Sequence, residues 1–199
     1  MKKRIFVICV LLILIVLFSY CYKFFISGNT KSIENVNDLN EYLSKINDYS
    51  VEAKVTVNSN KNSNSYNLKQ SRIEGKCVQE ISDINNSMKV IIENTKGRVI
   101  VKNTELSLEN VFNNYDDVVK NSMGLDAFIE DYESDDKKEI LEKDGYYIIS
   151  VKSKNSQNKY AKSKTLYFDK LNNRIEKIVV KDINNNEMVV IEYIKLEIF

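Results

Sequence analysis

The chain of 199 residues contains no histidine, no proline and no tryptophan, and it has only three cysteines. Without histidine it can form neither a Ser-His-Asp triad nor a Cys-His nucleophile pair, and it has no imidazole to bind a metal. Two of the cysteines lie in an N-terminal apolar stretch, so neither a Cys₄ zinc cluster nor a scaffold of several disulfides can form. These absences exclude most common catalytic and metal centres.

Charge is nearly balanced over the whole chain, with 29 basic and 28 acidic residues. Four of the basic side chains lie at the N-terminal end: Lys2, Lys3, Arg4 and Lys23. Residues 28–199 therefore carry 25 basic against 28 acidic residues, a net charge of −3. Nucleic acid is not an expected partner of such a domain, and its length suffices for a single hydrophobic core.

The N-terminus combines a basic start with a long apolar run. The run Ile5–Phe18 has 14 residues and reaches 18 when it is extended through Tyr22, which is close to the length that spans a bilayer. Basic residues before the run predict a cytoplasmic N-terminus and an extracytoplasmic remainder. The predicted organisation is a signal-anchor or lipoprotein signal at 1–27 with its membrane contact at 5–22, a linker at 28–36 and a domain at 37–199.

Three fates of the N-terminal segment agree with its residues. An uncleaved anchor in the cytoplasmic membrane is favoured, because no small-x-small cleavage site follows the apolar run. Lipidation at Cys21 is the second, since bacterial lipoproteins carry a cysteine just after this run, but Tyr20 and Phe18 replace the usual small residue and leucine. Ordinary cleavage is the third. All three place the domain on the extracytoplasmic side of the membrane.

The domain begins with a helical pattern and continues with strand patterns. Leu39, Tyr42, Leu43 and Ile46 share one face of a helix predicted at 38–48, which Asn37 or Asp38 can cap. Apolar residues then alternate with polar ones from Val51 onwards, which is typical of half-buried antiparallel strands. Further strands are predicted at 66–73, 78–84, 88–93, 98–102, 139–142, 146–152, 164–169, 174–181 and 188–198.

The middle of the domain shows helical spacing again. Apolar residues between Leu108 and Tyr132 predict two short helices over 109–133, joined near Gly124. The charged run 130–139 is predicted to be a solvated loop. The expected fold is α+β: one large curved antiparallel sheet of about ten strands, with a preceding helix and a central helical insert, behind an N-terminal membrane anchor.

No catalytic, cofactor-binding or metal-binding residues can be assigned. Pairs such as Asp116-Asp117 and Asp135-Asp136 are expected to be solvated, and the carboxylates around them lack the spacing of a calcium loop. Cys77 is the one thiol of the domain and is predicted to be a partly buried strand residue. Tyr146 and Tyr147 are adjacent in a strand, so one should enter the core while the other faces the surface.

Two segments carry a resemblance to a known family. Leu39–Val57 reads as a helix entering a strand with a Tyr-Ser-hydrophobic start, and Thr165–Ile194 reads as two closing hairpins. The matching positions in the hairpins are Phe168, Asp169, Ile175, Ile178 and Asp182. The order of elements over 36–196 resembles the LolA-like lipoprotein-carrier fold. Within that fold, the chain looks most like the GerS-like spore-germination lipoproteins.

The resemblance implies a non-enzymatic partner of a zinc-dependent N-acetylmuramoyl-L-alanine amidase, located in the spore envelope. Such a partner allows the amidase to begin muramic-δ-lactam formation in cortex peptidoglycan, which cortex-lytic enzymes recognise during germination. Homodimerisation through edge strands is a further expectation. The alternative is a LolA-type carrier or envelope sensor that binds lipid or lipoprotein in an apolar cavity, with 108–132 as its lid. An enzyme is the least favoured of the three.

Overall fold

The computed structural model describes residues 33–59, 62–85, 88–95, 98–113, 124–154 and 159–199. Ile33–Phe199 forms one compact unit. The predictions for residues 1–27, including the membrane segment and Cys21, lie outside the described residues. Among the described residues, no helix has the length and apolar character needed to cross a bilayer.

The described residues of this unit form two helices and eleven strands. The helices are α1 (Val36–Ser44) and α2 (Leu125–Ser134). The strands are β1 (Tyr49–Asn58), β2 (Ser63–Ile73), β3 (Lys76–Asp83), β4 (Lys89–Thr95), β5 (Arg98–Asn103), β6 (Leu108–Asn113), β7 (Glu139–Lys143), β8 (Tyr146–Lys152), β9 (Ser163–Asp169), β10 (Arg174–Lys181) and β11 (Glu187–Ile198). They form one antiparallel sheet in the order β6-β5-β4-β3-β2-β1-β11-β10-β9-β8-β7.

The sheet order follows from two meanders that meet in its centre. Strands β1–β6 pair in sequence on one side, and strands β7–β11 pair in sequence on the other. The first and last strands join the two meanders, because Tyr49 pairs with Ile198 and Val57 with Val189. The predicted α+β class and large antiparallel sheet are confirmed, with eleven described strands in place of about ten.

Both helices pack on the same face of the sheet, which we call the helix face. Leu39 and Leu43 of α1 and Phe128 of α2 are fully buried in one cluster with Ile149 and Leu166. The alternation of strands β1, β2 and β8–β11 supplies most of the rest of this cluster. Since each strand turns every second side chain to the opposite side, the other face, called the open face, carries the intervening polar residues.

Two predicted elements differ from the structure. The first helix begins at Val36, because the side chain of Asn35 accepts hydrogen bonds from the backbone N–H groups of Asn37 and Asp38 and is therefore the N-cap. The segment Leu108–Asn113 is a strand and not the start of a helix, because it pairs along its whole length with β5. The remainder of that predicted helix, 114–123, lies outside the described residues.

The second central helix is confirmed, and it extends into the segment that was expected to be a loop. α2 continues to Ser134, so the first half of the predicted loop 130–139 is helical. Asp131 and Tyr132 are buried there, which the charged character of the run does not indicate. Only the turn after Ser134 matches the predicted loop.

Candidate functional site

The open face carries paired charges on the half of the sheet that contains β1–β5. The Lys89 Nζ lies 2.8 Å from a carboxylate oxygen of Glu80. The Glu93 carboxylate lies 2.7 Å from Lys102 Nζ and 3.6 Å from Lys76 Nζ. Because these partners sit on neighbouring strands, this half neutralises much of its own charge and presents no large patch of one sign.

The open face differs in character on strands β7–β10. The strand register aligns Leu141, Ile148, Tyr167 and Lys177 in one row across these four strands. Tyr146 meets Tyr167 edge-on, with ring centroids 6.5 Å apart, and Lys177 Nζ lies 4.6 Å from the centroid of the Tyr167 ring. Leu141 is 56% exposed. We call these five residues the tyrosine patch.

Tyr146 and Tyr147 point to opposite faces, as their adjacent strand positions predict. Tyr147 is buried in the core, and its hydroxyl donates to the backbone carbonyl of Glu34 at 3.0 Å. Tyr146 is half-buried on the open face. A hydrogen bond with the Glu176 carboxylate raises the pKa of Tyr146, because it stabilises the protonated phenol. The Tyr146 ring is therefore held at the surface by contacts on two sides.

A polar cluster lies on the helix face, beneath the start of α2. Gln70 Nε2 donates to the Tyr49 hydroxyl at 2.6 Å, and Arg72 Nη1 donates to Asp126 Oδ1 at 2.7 Å. Burial, followed by the nearby Asp126 carboxylate, raises the pKa of Tyr49 well above its usual range. The same two causes raise the pKa of Tyr193, whose buried hydroxyl has no hydrogen-bond partner among the described residues. The cluster attaches the start of α2 to strands β1 and β2.

Cys77 borders this cluster and is partly buried in β3, as predicted. Burial and the Asp126 carboxylate together raise the pKa of its thiol to about 11, although Gln70 Nε2 lies 3.6 Å from the sulfur and Arg72 opposes the shift. A thiol with this pKa is protonated at neutral pH and is a poor nucleophile.

A second charged group lies deeper in the core, between α2 and β9. Lys164 Nζ lies 2.5 Å from Asp131 Oδ2, and the backbone N–H of Lys154 donates to Asp131 Oδ1 at 2.8 Å. Composition alone does not reveal this pair. The sequence indicates a buried Lys164 only through its position in β9, where it shares the helix face with the buried Leu166 and Phe168.

Of the two carboxylate pairs singled out in the sequence, Asp135-Asp136 lies among the described residues. Asp135 accepts hydrogen bonds from the backbone N–H groups of Lys152 and Lys137, which lower its pKa. Asp116 and Asp117 lie outside the described residues. Within the described part of the chain, no group of three or more Asp, Glu or Cys side chains could hold a metal ion.

No protein-family model and no curated protein matches this sequence. Among solved structures, the chain is similar to the GerS chain in the structure of the CwlD amidase from Clostridioides difficile in complex with the GerS lipoprotein. The identity is 22% and the TM-score 0.51, over 82% of this chain and 93% of that chain. This similarity shows a shared fold.

Two further structures match with lower TM-scores. An uncharacterized conserved protein from Thermus thermophilus has 8% identity and a TM-score of 0.47, over 81% of this chain and 87% of that chain. A LolA superfamily protein from Nitrosomonas europaea has 11% identity and a TM-score of 0.41, over 80% of this chain and 93% of that chain. The GerS-like fold expected from the sequence is thus confirmed by the GerS chain itself.

Proposed function

We propose that this chain is a non-catalytic, membrane-anchored envelope protein that binds and activates an N-acetylmuramoyl-L-alanine amidase. Its activity would permit the muramic-δ-lactam modification of cortex peptidoglycan that spore germination requires. The observation that carries the proposal is the fold shared with GerS, over 93% of a chain whose structure is described in complex with an amidase. The absence of histidine from the whole sequence supports a non-catalytic role.

The alternative, a carrier of lipid or lipoprotein, requires an apolar cavity between the helices and the sheet. Leu39 and Leu43 of α1 and Phe128 of α2 occupy the space over β1 and β8–β11, where they contact the fully buried Ile149 and Leu166. Side chains in such close contact leave little room for an acyl chain beneath the helices. This packing favours the partner role over the carrier role.

Binding of the amidase from the same genome tests the proposal directly. Residues 28–199 contain the complete described core and can be produced without the apolar N-terminal run. Isothermal titration calorimetry should show a saturable complex, and the amidase should release more peptide from purified peptidoglycan when the domain is present. Absence of both binding and activation would overturn the proposal.

Native mass spectrometry of the same preparation separates the two functions. A bound lipid or lipopeptide, together with no affinity for the amidase, would support the carrier role. The fate of the N-terminal segment is tested with the full chain in cells. Mass spectrometry of the membrane fraction should find residues 1–27 intact if they are an anchor. A diacylglyceryl group on Cys21 would establish lipidation instead.

A further inference from the structure

We infer that the turn between β9 and β10 lies against the membrane that holds the proposed anchor, with the Leu171 side chain inserted between lipid headgroups. This inference rests on the proposed function, in that residues 1–27 are taken to hold the chain in a membrane. It identifies the end of the domain that faces the bilayer and the side chain that enters it.

The chain enters the described domain beside this turn. The backbone N–H of Ile33 donates to Asn173 Oδ1 at 3.1 Å, and the carbonyl of Glu34 accepts from the Tyr147 hydroxyl at 3.0 Å. Asn173 belongs to the β9–β10 turn, and Tyr147 pairs with Phe168 near the end of β9. Because Ile33 is itself buried in the core, the entry point is fixed at this end of the sheet.

A short stretch of chain joins the entry point to the proposed anchor. The apolar residues Phe24, Phe25 and Ile26 are of the kind that stay at a membrane interface, which leaves residues 27–32 as the linker. Fully extended, this linker places Ile33 at most about 25 Å from Ile26. The entry end of the sheet is therefore held near the bilayer. The turn after β10 lies one strand of eight residues away from that end, roughly 26 Å.

Leu171 is the apolar tip of the entry end. It is 90% exposed, and Ile73 at the end of β2 is 53% exposed at the same end of the sheet. Exposed apolar side chains also occur at the opposite end, among them Ile84 and Ile183, so exposure alone does not identify the end that meets the membrane. The entry point of the chain makes that distinction.

The backbone of the turn suits a medium that offers few hydrogen bonds. The N–H groups of Leu171 and Asn172 donate to Asp169 Oδ1 at 2.9 and 3.0 Å. The N–H of Lys170 donates to the carbonyl of Gly145 at 3.0 Å. Unpaired N–H groups are costly in contact with lipid, so a tip with three consecutive N–H groups already bonded approaches the bilayer at little cost.

The contact should depend on the apolar tip and the anchor, and little on charge. Lys143 and Asp144 lie 3.9 Å apart in the adjacent β7–β8 turn, and Arg174 pairs with Asp169 across β9 and β10. Both signs of charge are thus present at this end. Since one leucine binds a bilayer weakly by itself, the anchor must keep the turn at a high local concentration beside the membrane.

Two single-tryptophan variants of the full chain measure which end meets lipid. The sequence contains no tryptophan, so Leu171→Trp and Ile183→Trp each carry one indole. The two residues are exposed and lie in the turns on either side of β10, which makes Ile183→Trp the matched control. Each variant is reconstituted in vesicles of phosphatidylcholine and phosphatidylglycerol, with or without brominated phosphatidylcholine, which quenches indole emission on contact.

Brominated lipid should quench the tip and spare the control. We expect it to reduce the Leu171→Trp emission at least ~2-fold and the Ile183→Trp emission less than ~1.2-fold, because interfacial side chains enter lipid while those a strand length away do not. Added sodium chloride should leave the quenching unchanged, since screening acts on charges and not on apolar insertion. Circular dichroism and urea unfolding of residues 28–199 establish that both variants remain folded.

The soluble domain provides a control for the anchor. Residues 28–199 carrying Leu171→Trp should show no quenching when mixed with the same vesicles, because they carry 25 basic against 28 acidic residues and lack the anchor. Quenching equal to that in the full chain would overturn the inference that the anchor holds the turn at the membrane.

The outcomes separate this inference from the proposed function. If the full chain floats with the vesicles in a density gradient but Leu171→Trp is quenched no more than Ile183→Trp, the inference is overturned while the anchored state stands. If only Ile183→Trp is quenched, the opposite end faces the bilayer and the inference is equally wrong. If the full chain does not float, the anchor of the proposed function and this inference both fail. Amidase binding by residues 28–199 is measured separately from all of these outcomes.

Discussion

Lys164 on β9 and Asp131 on α2 form an ion pair in the interior of the domain, with Nζ and Oδ2 2.5 Å apart and side chains only 1% and 4% exposed. Lys164 also donates to the backbone carbonyl of Ala127 in α2 at 3.4 Å. The remaining Asp131 oxygen accepts from the backbone N–H of Lys154. Both charges are therefore compensated, and the pair joins the helix to the sheet at one defined position.

Removing one member of this pair should strongly destabilise the domain. Lys164→Met leaves the Asp131 carboxylate buried without its counter-ion, and we expect the free energy of unfolding to fall by about 3–5 kcal/mol. The double variant Lys164→Met/Asp131→Asn should recover part of the loss, because no net charge remains buried. Urea unfolding of residues 28–199, followed by circular dichroism, measures both changes.

The surface pair of Lys170 and Glu142 provides the control for the buried pair. Lys170→Met should change the free energy of unfolding by less than about 1 kcal/mol, because water screens exposed ion pairs. Equal losses for Lys164→Met and Lys170→Met would show that burial of the Lys164–Asp131 pair has no special energetic consequence.

Loss of the hydroxyl group should lower the free energy of unfolding at Tyr49 but not at Tyr193. The Tyr49 hydroxyl bonds with Gln70 at 2.6 Å and interacts with Asp126, so Tyr49→Phe should lower the free energy of unfolding by about 1–3 kcal/mol. The Tyr193 hydroxyl is buried and has no hydrogen-bond partner in the described part of the chain, so Tyr193→Phe should be neutral or stabilising. Parallel urea titrations of the two variants provide the comparison. A loss of stability in Tyr193→Phe comparable to that in Tyr49→Phe would contradict the assigned hydrogen bonds.

The Cys77 thiol should react slowly in the folded domain. Burial disfavours the thiolate and raises the pKa to about 11, so the rate of reaction with 5,5′-dithiobis(2-nitrobenzoic acid) should stay low at pH 7–8 and rise as pH approaches 11. The unfolded chain in urea should react much faster. Residues 28–199 contain no other cysteine, so the measured rate belongs to Cys77.

The raised pKa of Cys77 also predicts how the stability of the domain changes with pH. Between the usual pKa of about 9 and the folded value of about 11, the folded state binds more protons than the unfolded state. The contribution of Cys77 to stability is therefore complete below pH 9 and is lost as pH rises through 11. Cys77→Ala should reduce the slope of stability over this range, and an unchanged slope would argue against the burial of the thiol.

Local patterns predict the strands well, because alternation along a half-buried strand is visible in a single sequence. Val51, Ala53 and Val55 alternate with polar residues, which predicts a strand, and all three lie in β1. The pattern fails at Leu108–Asn113, where Leu108, Val111 and Phe112 are spaced as on a helix. Pairing with β5 decides the conformation there, and this non-local contact has no signature in the local spacing.

The candidate surface is less predictable from sequence than the fold. Tyr146 can be assigned to one of two faces from its neighbour Tyr147, but its contact with Tyr167 depends on the register between β8 and β9. The row from Leu141 to Lys177 likewise exists only when four strands are aligned. Composition counts the tyrosines and lysines, whereas the sheet determines which of them lie side by side.

The N-cap of α1 offers a direct check on one corrected boundary. Asn35 Oδ1 accepts from the backbone N–H groups of Asn37 at 2.9 Å and Asp38 at 3.1 Å, which would otherwise lack partners at the start of the helix. Asn35→Ala should therefore lower the free energy of unfolding by about 1 kcal/mol. Asn37→Ala is the matched control, because Asn37 is inside the helix and its side chain caps nothing. Since alanine is the better helix former, this control should be neutral or slightly stabilising in the same urea titration. The reverse order of effects would return the cap to Asn37, one of the two positions, Asn37 and Asp38, that the sequence pattern predicts.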